Sequence, residues 1–240
     1  MSKQINLVSD DVIDSIEEYI DENHLQANDM LPSERKLSEM LGVSRGTIRD
    51  AVSRMCAQKR LYTVHGKGSF LSMPKYWMNM KDFISFSASA QAAGLIPSSR
   101  LISLNIQKAG QSVAKRLRVS DKEEVYVLIR VRSFNGEPIA LEKACLPVRF
   151  CPGLEEYDFE RNSLYAVLQQ IYKINLIKQD ANIRLTRASQ EEARLLSIYE
   201  GDVVFLERAI ASTAQGELVE YSQGIINAQR AGYETEIRGG

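Results

Sequence analysis

Between residues 32 and 49 the chain carries a spacing that few folds satisfy. A capping serine and two helical turns are followed by a glycine, then by a second capping serine ahead of a longer helical stretch. Pro32-Ser33 predicts a helix start with Ser33 as N-cap, Leu37, Met40 and Leu41 as buried positions, and Gly42 as the left-handed stop. Ser44 then caps a helix in which Ile48, Ala51, Val52 and Met55 face inward. Arg45 and Arg49, four residues apart, project together from the opposite face near its N-terminal end. Upstream, Val12, Ile13, Ile16 and Ile20 behind Ser9-Asp10 predict a first helix from about residue 10 to 22. Two short helices joined at Gly42-Val43, the second presenting arginines from its first turns, form a helix-turn-helix pattern. That geometry brings base-reading side chains into a major groove.

Charge follows the same division. Residues 1–30 hold one Lys against eight Asp and Glu, net −7, whereas residues 31–72 hold eight Lys and Arg against three acids, net +5. A basic block of this size also occurs on plain solvated helices, so the motif spacing decides. Downstream, Arg60 to Val64 and Ser69 to Ser72 read as two short strands around His65-Gly66-Lys67-Gly68, a wing whose glycines would let backbone approach DNA while Lys67 reaches phosphate or minor groove. A phosphate-cradling P-loop is excluded, because that pattern needs a glycine where Leu61 stands and Ser or Thr directly after Gly66-Lys67. Before Leu31 the chain reads Gln26-Ala27-Asn28-Asp29, where Asn and Asp side chains can make the turn, and the acidic first helix is expected to point away from the duplex.

Other classes fall away on simple grounds. At 240 residues, 44% hydrophobic and 25% charged, the chain has the balance of a folded protein with a core. No segment reaches the roughly 18 consecutive apolar residues of a membrane span, and the acidic start lacks the pattern of a signal peptide, so a cytoplasmic location is expected. Cys56, Cys145 and Cys151 have no C-x-x-C spacing, and His24 and His65 stand apart from any metal-ligand group. Neither disulfide, metal nor cofactor is expected.

Residues 73–81, with Pro74, Tyr76 and Trp77, read as a linker between residues 1–72 and 82–240, its aromatics packing onto something. Beyond it a weak repeat recurs at a spacing of 78 to 80: Ala109 with Ala188, Leu117 with Leu196, Val125 with Val203, Arg130 with Arg208, Gly136 with Gly216. Each copy reads helix, strand, turn, strand, with Ser189 and Glu192 forming a capping box at the second helix. Two copies are too few for a solenoid, so one antiparallel sheet flanked by helices, an α+β domain, is expected. In Glu124 to Phe134, Val125, Val127, Ile129 and Val131 share one face, leaving Tyr126, Leu128, Arg130 and Arg132 on the other. A two-residue turn at Asn135-Gly136 would push Glu142 onto the apolar face, so a loop one residue longer is expected, pairing Phe134 with Pro138 and Arg130 with Glu142. Ser85 and Ser163 read as N-caps of two further helices, offering backbone N–H groups to an anion that Arg130 and Arg132 would suit. Residue chemistry alone leaves two readings open: an anion site, or routine caps beside a plain Arg130–Glu142 ion pair.

Leu31-Pro32-Ser33-Glu34-Arg35, Val43-Ser44-Arg45-Gly46-Thr47-Ile48-Arg49 and Gly66-Lys67-Gly68-Ser69-Phe70 together resemble the winged helix-turn-helix of GntR-type bacterial transcription regulators. The resemblance implies that Arg35, Arg45 and Arg49 meet bases and phosphates of double-stranded DNA in the major groove, Ser44 and Thr47 hold backbone phosphates, and Gly66 enters the minor groove; Lys67 and Gly68 are DNA-binding candidates from the wing pattern itself. Ser85-Phe86-Ser87, Arg130-x-Arg132, the run Gly136 to Glu142, Ser163-Leu164-Tyr165 and Glu220-Tyr221-Ser222 are similar to the UTRA effector domain of the HutC subfamily. That likeness implies a chorismate-lyase-like fold, a homodimer on a palindromic operator, and a small anionic effector such as a sugar phosphate. Ser85, Phe86, Ser87, Arg130, Arg132 and Ser163 would surround the anion, with Glu142, Tyr165 and Glu220 on its polar body. Where the family usually ends in a basic and acidic pair, this chain has Asn227-Ala228-Gln229. Two rival readings are an enzyme of related fold, which would have to work with carboxylates alone, and a DNA-binding regulator without a functional pocket.

Overall fold

The computed structural model describes residues 7–58, 60–64, 66–72, 75–79 and 85–234. The chain divides into two compact units, Met1–Lys75 and Tyr76–Gly240. The first contains α1 (Leu7–Glu22), α2 (Glu34–Leu41), α3 (Arg45–Ala57) and an antiparallel hairpin of β1 (Leu61–Val64) and β2 (Gly68–Leu71). Val12, Ile13 and Ile16 of α1 close a core with Leu31, Leu37, Ile48, Ala51, Val52, Met55 and Leu61. All four expected inward positions of α3 are buried, but in α2 only Leu37 is, and Met40 is 46% exposed. At 3.6 residues per turn Met40 lies about 80° around from the Leu37–Leu41 line, outside the stripe that a two-turn helix can present. The turn before Leu31 forms as its residue types require: Asn28 adopts φ 72° and Asp29 Oδ2 accepts from the Gln26 N–H at 2.7 Å.

The second unit runs β3 (Tyr76–Asn79), α4 (Phe86–Ala92), β4 (Pro97–Lys108), α5 (Gly110–Leu117), β5 (Glu124–Phe134), β6 (Glu137–Pro147), two single-turn 3-10 helices, α6 (Leu164–Gln170), β7 (Leu176–Arg187), α7 (Gln190–Leu196), β8 (Val203–Thr213), β9 (Leu218–Asn227) and β10 (Ala231–Glu234). Six strands form one antiparallel sheet in the order β4-β5-β6-β9-β8-β7. The repeat is therefore real and larger than its sequence signal. Each copy is strand, helix, strand, strand, and the copies meet in mid-sheet at β6 and β9. The leading strands β4 and β7 escape a periodicity search because they are sheet edges and much of each is exposed.

Three sequence expectations need correction here. The segment read as a linker, residues 73–81, includes β3, which pairs in parallel with β10; Tyr76 is buried and Trp77 half exposed. Residues 73, 74, 80 and 81, Pro74 among them, lie outside the described residues. The β5–β6 hairpin does close through the two-residue turn, with Asn135 at φ 49° and Gly136 at φ 83°. A bulge at Ile139 inserts the missing residue instead, so Phe134 faces Glu137 while Arg130 still faces Glu142. The β8–β9 hairpin repeats the bulge one residue before Glu220, which makes Ala211 the counterpart of Arg132 and Ala209 that of Arg130. The counterpart of Arg130 is thus not Arg208, whose side chain points to the other face.

On one face of the sheet, α5 covers Val125, Val127, Cys145 and Tyr221, while Ala193 of α7 packs on Val204 and Ile225. The other face carries two separate apolar clusters. One joins Tyr126, Leu128, Ala144 and Leu146 to Leu154, Phe159 and α6; the other joins Phe134, Ile139, Ala140 and Ile226 to α4, β3 and β10. Between them the sheet floor is polar.

Candidate functional site

In the first unit the expected reading residues lie on α2, at the start of α3 and at the tip of the β1–β2 hairpin, all exposed except Thr47, which is half-buried. Ser44 caps α3 by accepting from the Thr47 N–H at 3.2 Å and lies 2.9 Å from the Thr47 hydroxyl. Arg45, Arg49 and Arg35 are exposed; the Arg49 Nε and Nη2 reach Glu34 Oε2 at 3.2 and 3.0 Å, and Arg35 lies 3.8 Å from Glu39. Gly66 at φ 75° and Gly68 at φ 129° form the exposed tip of the β1–β2 hairpin around Lys67. Backbone of that kind is open to glycine with little strain, and it leaves a narrow tip with no side chain on either flank of Lys67. His65 lies outside the described residues. On the acidic helix, Asp10 pairs with Arg54 at 2.5 Å and Glu17 pairs with Arg60, so part of its charge is neutralised within the unit.

In the second unit, a cavity of about 420 Å³ opens between the two apolar clusters. Ser85, Phe86, Arg130, Arg132, Glu142, Ser163, Tyr165 and Glu220 all line it, although they come from five different elements and their flanks. Ser87 is adjacent, accepting from Arg132 Nη2 at 3.1 Å. Cross-strand pairing explains the convergence. Arg130 faces Glu142, Glu142 faces Gly224, and Gly224 faces Glu207, so one row crosses β5, β6, β9 and β8. Gly224 has no side chain to fill the middle of that row, and the floor lies open there.

Arg130 is 1% exposed and Arg132 4%. Both bond the same carboxylate oxygen, Glu142 Oε2, at 2.7 and 2.8 Å. Arg132 also stacks its guanidinium 4.3 Å from the Phe86 ring centre. Three of their N–H-bearing atoms, Arg130 Nε and Nη1 and Arg132 Nε, are buried with no hydrogen-bond partner. Buried donors left unpaired cost on the order of 1–3 kcal/mol each, more where the group is charged, so this pair is not a finished structural ion pair. Burial alone would push the Glu142 carboxyl up, but the two guanidinium groups outweigh it and hold it at about 2. Glu220 shows the reverse: burial and the Glu142 charge push it up to about 7, against the Tyr165 hydroxyl, which donates to Glu220 Oε2 at 2.6 Å, and against Arg130. Ser163 is the N-cap of α6, as expected, though its side chain makes no capping bond, and it lines the cavity; Ser85 caps α4, accepting from the Ala88 N–H at 3.2 Å.

Sequence reasoning missed Glu207, Gly224 and Tyr233 in the lining. Burial raises the Glu207 carboxyl, and the Tyr233 hydroxyl donates to its Oε2 at 2.6 Å. Continuing the repeat at the bulge-defined offset would have placed Glu207 on the cavity face, opposite Leu128 in the first copy. No local pattern marks Tyr233. Among the described residues no group of three or more His, Cys, Asp or Glu could hold a metal ion, and no helix is long and apolar enough to cross a membrane.

A winged helix-turn-helix followed by a sheet-floored cavity with buried, incompletely bonded arginines defines a ligand-responsive DNA-binding regulator. Comparison with known proteins agrees. Residues 8–71 match the profile of bacterial regulatory proteins of the gntR family, and residues 92–231 match that of the UTRA domain. The chain belongs to the GntR family of bacterial transcription regulators, in the branch that carries a UTRA domain. It is similar to the HTH-type transcriptional repressor NagR of Bacillus subtilis, 27% identical over 219 residues, covering 91% of this chain and 90% of that one. It also resembles the mannosyl-D-glycerate transport/metabolism system repressor MngR of Escherichia coli, 24% identical with 90% of each chain covered. The crystal structure of PhnF from Mycobacterium smegmatis shares the fold, with a TM-score of 0.71, 23% identity, and coverage of 95% of this chain and 100% of that one.

Proposed function

We propose that this chain is a cytoplasmic, homodimeric repressor that binds a palindromic operator and is released from it, or held on it, by a small anionic effector. In this reading Met1–Lys75 binds DNA through Arg35, Ser44, Arg45, Thr47, Arg49, Gly66, Lys67 and Gly68. Tyr76–Gly240 dimerises and holds the effector's anion against Arg130, Arg132, Ser85, Phe86, Ser87 and Ser163, with Glu142, Tyr165 and Glu220 on its polar body. The carrying observation is the pair of sheet-buried arginines whose unpaired N–H groups stand beside a cavity of small-ligand size. Relatives named for mannosyl-D-glycerate and fructoselysine systems support a sugar-derived anion.

Regulation requires the effector to bind two arrangements of the dimer with different affinity, since equal affinity shifts nothing. Tyr76 and Met78, on the strand that opens the second unit, line the cavity, so a bound molecule touches the segment continuous with the DNA-binding unit. The test is operator titration and thermal unfolding of wild type and Arg130→Ala against sugar phosphates, sugar acids and amino-acid derivatives. Ligand at 100 times its Kd adds about 2.7 kcal/mol to the stability of the folded state. We expect one chemical class to stabilise the wild type and change its operator affinity, with both effects lost in Arg130→Ala while that variant still binds operator. A variant that responds normally removes Arg130 from the site.

A further inference from the structure

The edge strands of a sheet carry unpaired N–H and C=O groups, and proteins that stay apart cover or blunt them. The six-stranded sheet has two edges, β4 and β7, and only one is blunted. On β4 the Leu101 N–H is taken by Glu160 Oε1 at 2.8 Å, a bulge lies between Leu101 and Ser103, and the charged side chains, Arg100 and Lys108, are both basic. Two copies of β4 laid side by side would meet that carboxylate, the bulge and like charge.

On β7 the edge is bare. Among the described residues no group bonds the outer side of its backbone, residues 178–187 pair with β8 without a bulge, and the strand has no proline. None of its twelve residues is buried, and Ile177 and Leu185 are 53% and 64% exposed. Its charges have both signs: Lys178, Asp180, Arg184 and Arg187. Among the described residues Arg184 has no ion-pair partner, and Asp180 pairs with Lys178 at 2.9 Å.

These charges are self-complementary. A two-fold axis perpendicular to the sheet sets β7 antiparallel to its own copy and keeps each face of the sheet continuous, so even-numbered residues meet even and odd meet odd. Two such registers use nearly all of residues 178–187. Centred on Ile183, Asp180 meets Thr186, Arg184 meets Asn182, and no charges are matched. Centred on Asn182, Asp180 meets Arg184 and, by symmetry, Arg184 meets Asp180, so two ion pairs form together. On the cavity face of the same register Ala181 meets Ile183 and Gln179 meets Leu185.

We propose, resting on the homodimer reading above, that β7 is the seam of the dimer: β7 of a second copy pairs with it antiparallel about Asn182 and joins the two six-stranded sheets into one. Backbone bonds supply the affinity, and the Asp180–Arg184 pairs fix the register. The seam adjoins the effector site, because Ile177, Lys178, Gln179, Ala181 and Ile183 line the cavity. Ile183 and Leu185 of the second copy continue that wall beyond β7.

The test uses the full-length protein. At a concentration where light scattering shows a dimer, hydrogen exchange read by mass spectrometry is expected to be slow at nearly every amide of residues 178–186. An unpaired edge leaves every other amide to exchange freely, and that result overturns the proposal on wild-type data alone. Charge reversal gives a second reading, from dissociation constants measured by analytical ultracentrifugation. Asp180→Arg and Arg184→Asp each turn two opposite-charge pairs into two like-charge pairs and should weaken the dimer about 10-fold or more; Asp180→Arg/Arg184→Asp restores both pairs and should return it to within about 3-fold of wild type. Both side chains are exposed, so the variants keep the fold. Single variants that dimerise like wild type, or a weakened dimer that the double variant does not rescue, place the contact elsewhere. The homodimer reading fails separately: wild type that stays monomeric at every concentration removes the dimer itself, whereas a dimer that tolerates the reversals and exchanges freely along β7 loses only this seam.

Discussion

Arg45 and Arg49 are exposed on α3, which the Ser44 cap starts, and Arg49 contacts Glu34 there. Replacing either with alanine is expected to weaken specific operator binding by about 1–3 kcal/mol and to relax base preference at one position. Titration of wild type and variants against the operator and against single-base substitutions checks this; unchanged curves would take that arginine off the reading face. Glu220 makes a prediction of a different kind. Its folded-state value of about 7 lies above the ordinary 4.5, so its proton is bound more tightly in the folded protein than in the unfolded one. Stability from this group is complete below pH 4.5 and declines as pH rises through 7, by at most about 3 kcal/mol. Glu142, held at about 2, behaves oppositely, losing its contribution only as pH falls below the ordinary range. Glu207, Glu142 and Arg130 act on Glu220 through charge and Tyr165 through its hydrogen bond, so the window belongs to the cluster. Denaturant unfolding between pH 4.5 and 8 should show Glu220→Gln flattening the decline seen in wild type; parallel curves would mean that Glu220 is not the titrating group.

Elements decide which side chains meet. Strand alternation places Arg130 and Arg132 opposite Val125 to Val131, and that much follows from residues 124–134 alone. Alternation does not say that Glu207, 77 positions along the chain from Arg130, shares its row; strand order and register decide that. The bulge at Ile139 was invisible for a related reason. Loop length and bulge are interchangeable ways of keeping Arg130 opposite Glu142, and the sequence pattern constrains only their sum. Gly224 tests the floor of the cavity directly. The nearest atoms to a Cβ there are Ile226 and Glu207 side-chain carbons at 3.5–3.8 Å, ordinary contact distances. Gly224→Val should therefore fold, with stability within about 1 kcal/mol of wild type, while effector-induced stabilisation and operator response fall away because the branched side chain occupies the cavity. A variant that responds to effector like wild type would place the ligand elsewhere.

At the scale of the whole molecule, the two units have separate cores, Val12 to Leu61 in one and the sheet clusters in the other. Scanning calorimetry of the full chain should resolve two transitions, and an effector should raise only the one belonging to Tyr76–Gly240, by the mass-action amount set by its concentration and Kd. Equal shifts in both transitions would mean that the units unfold as one.

What the sequence determined by itself were the features written in short spacings: the caps Ser33 and Ser44, the stop at Gly42, the arginines four apart on α3, the hairpin tip at Gly66–Gly68, the alternation of β5 and the capping box of α7. Each depends on backbone geometry over fewer than about 12 residues, where propensity and periodicity act directly. Tertiary structure alone decided that two copies of a repeat meet at β6 and β9, that β3 belongs to the second unit, and that Glu207, Gly224 and Tyr233 join Arg130 around one cavity. Those contacts pair residues far apart in the chain, through strand order and register that no local pattern encodes.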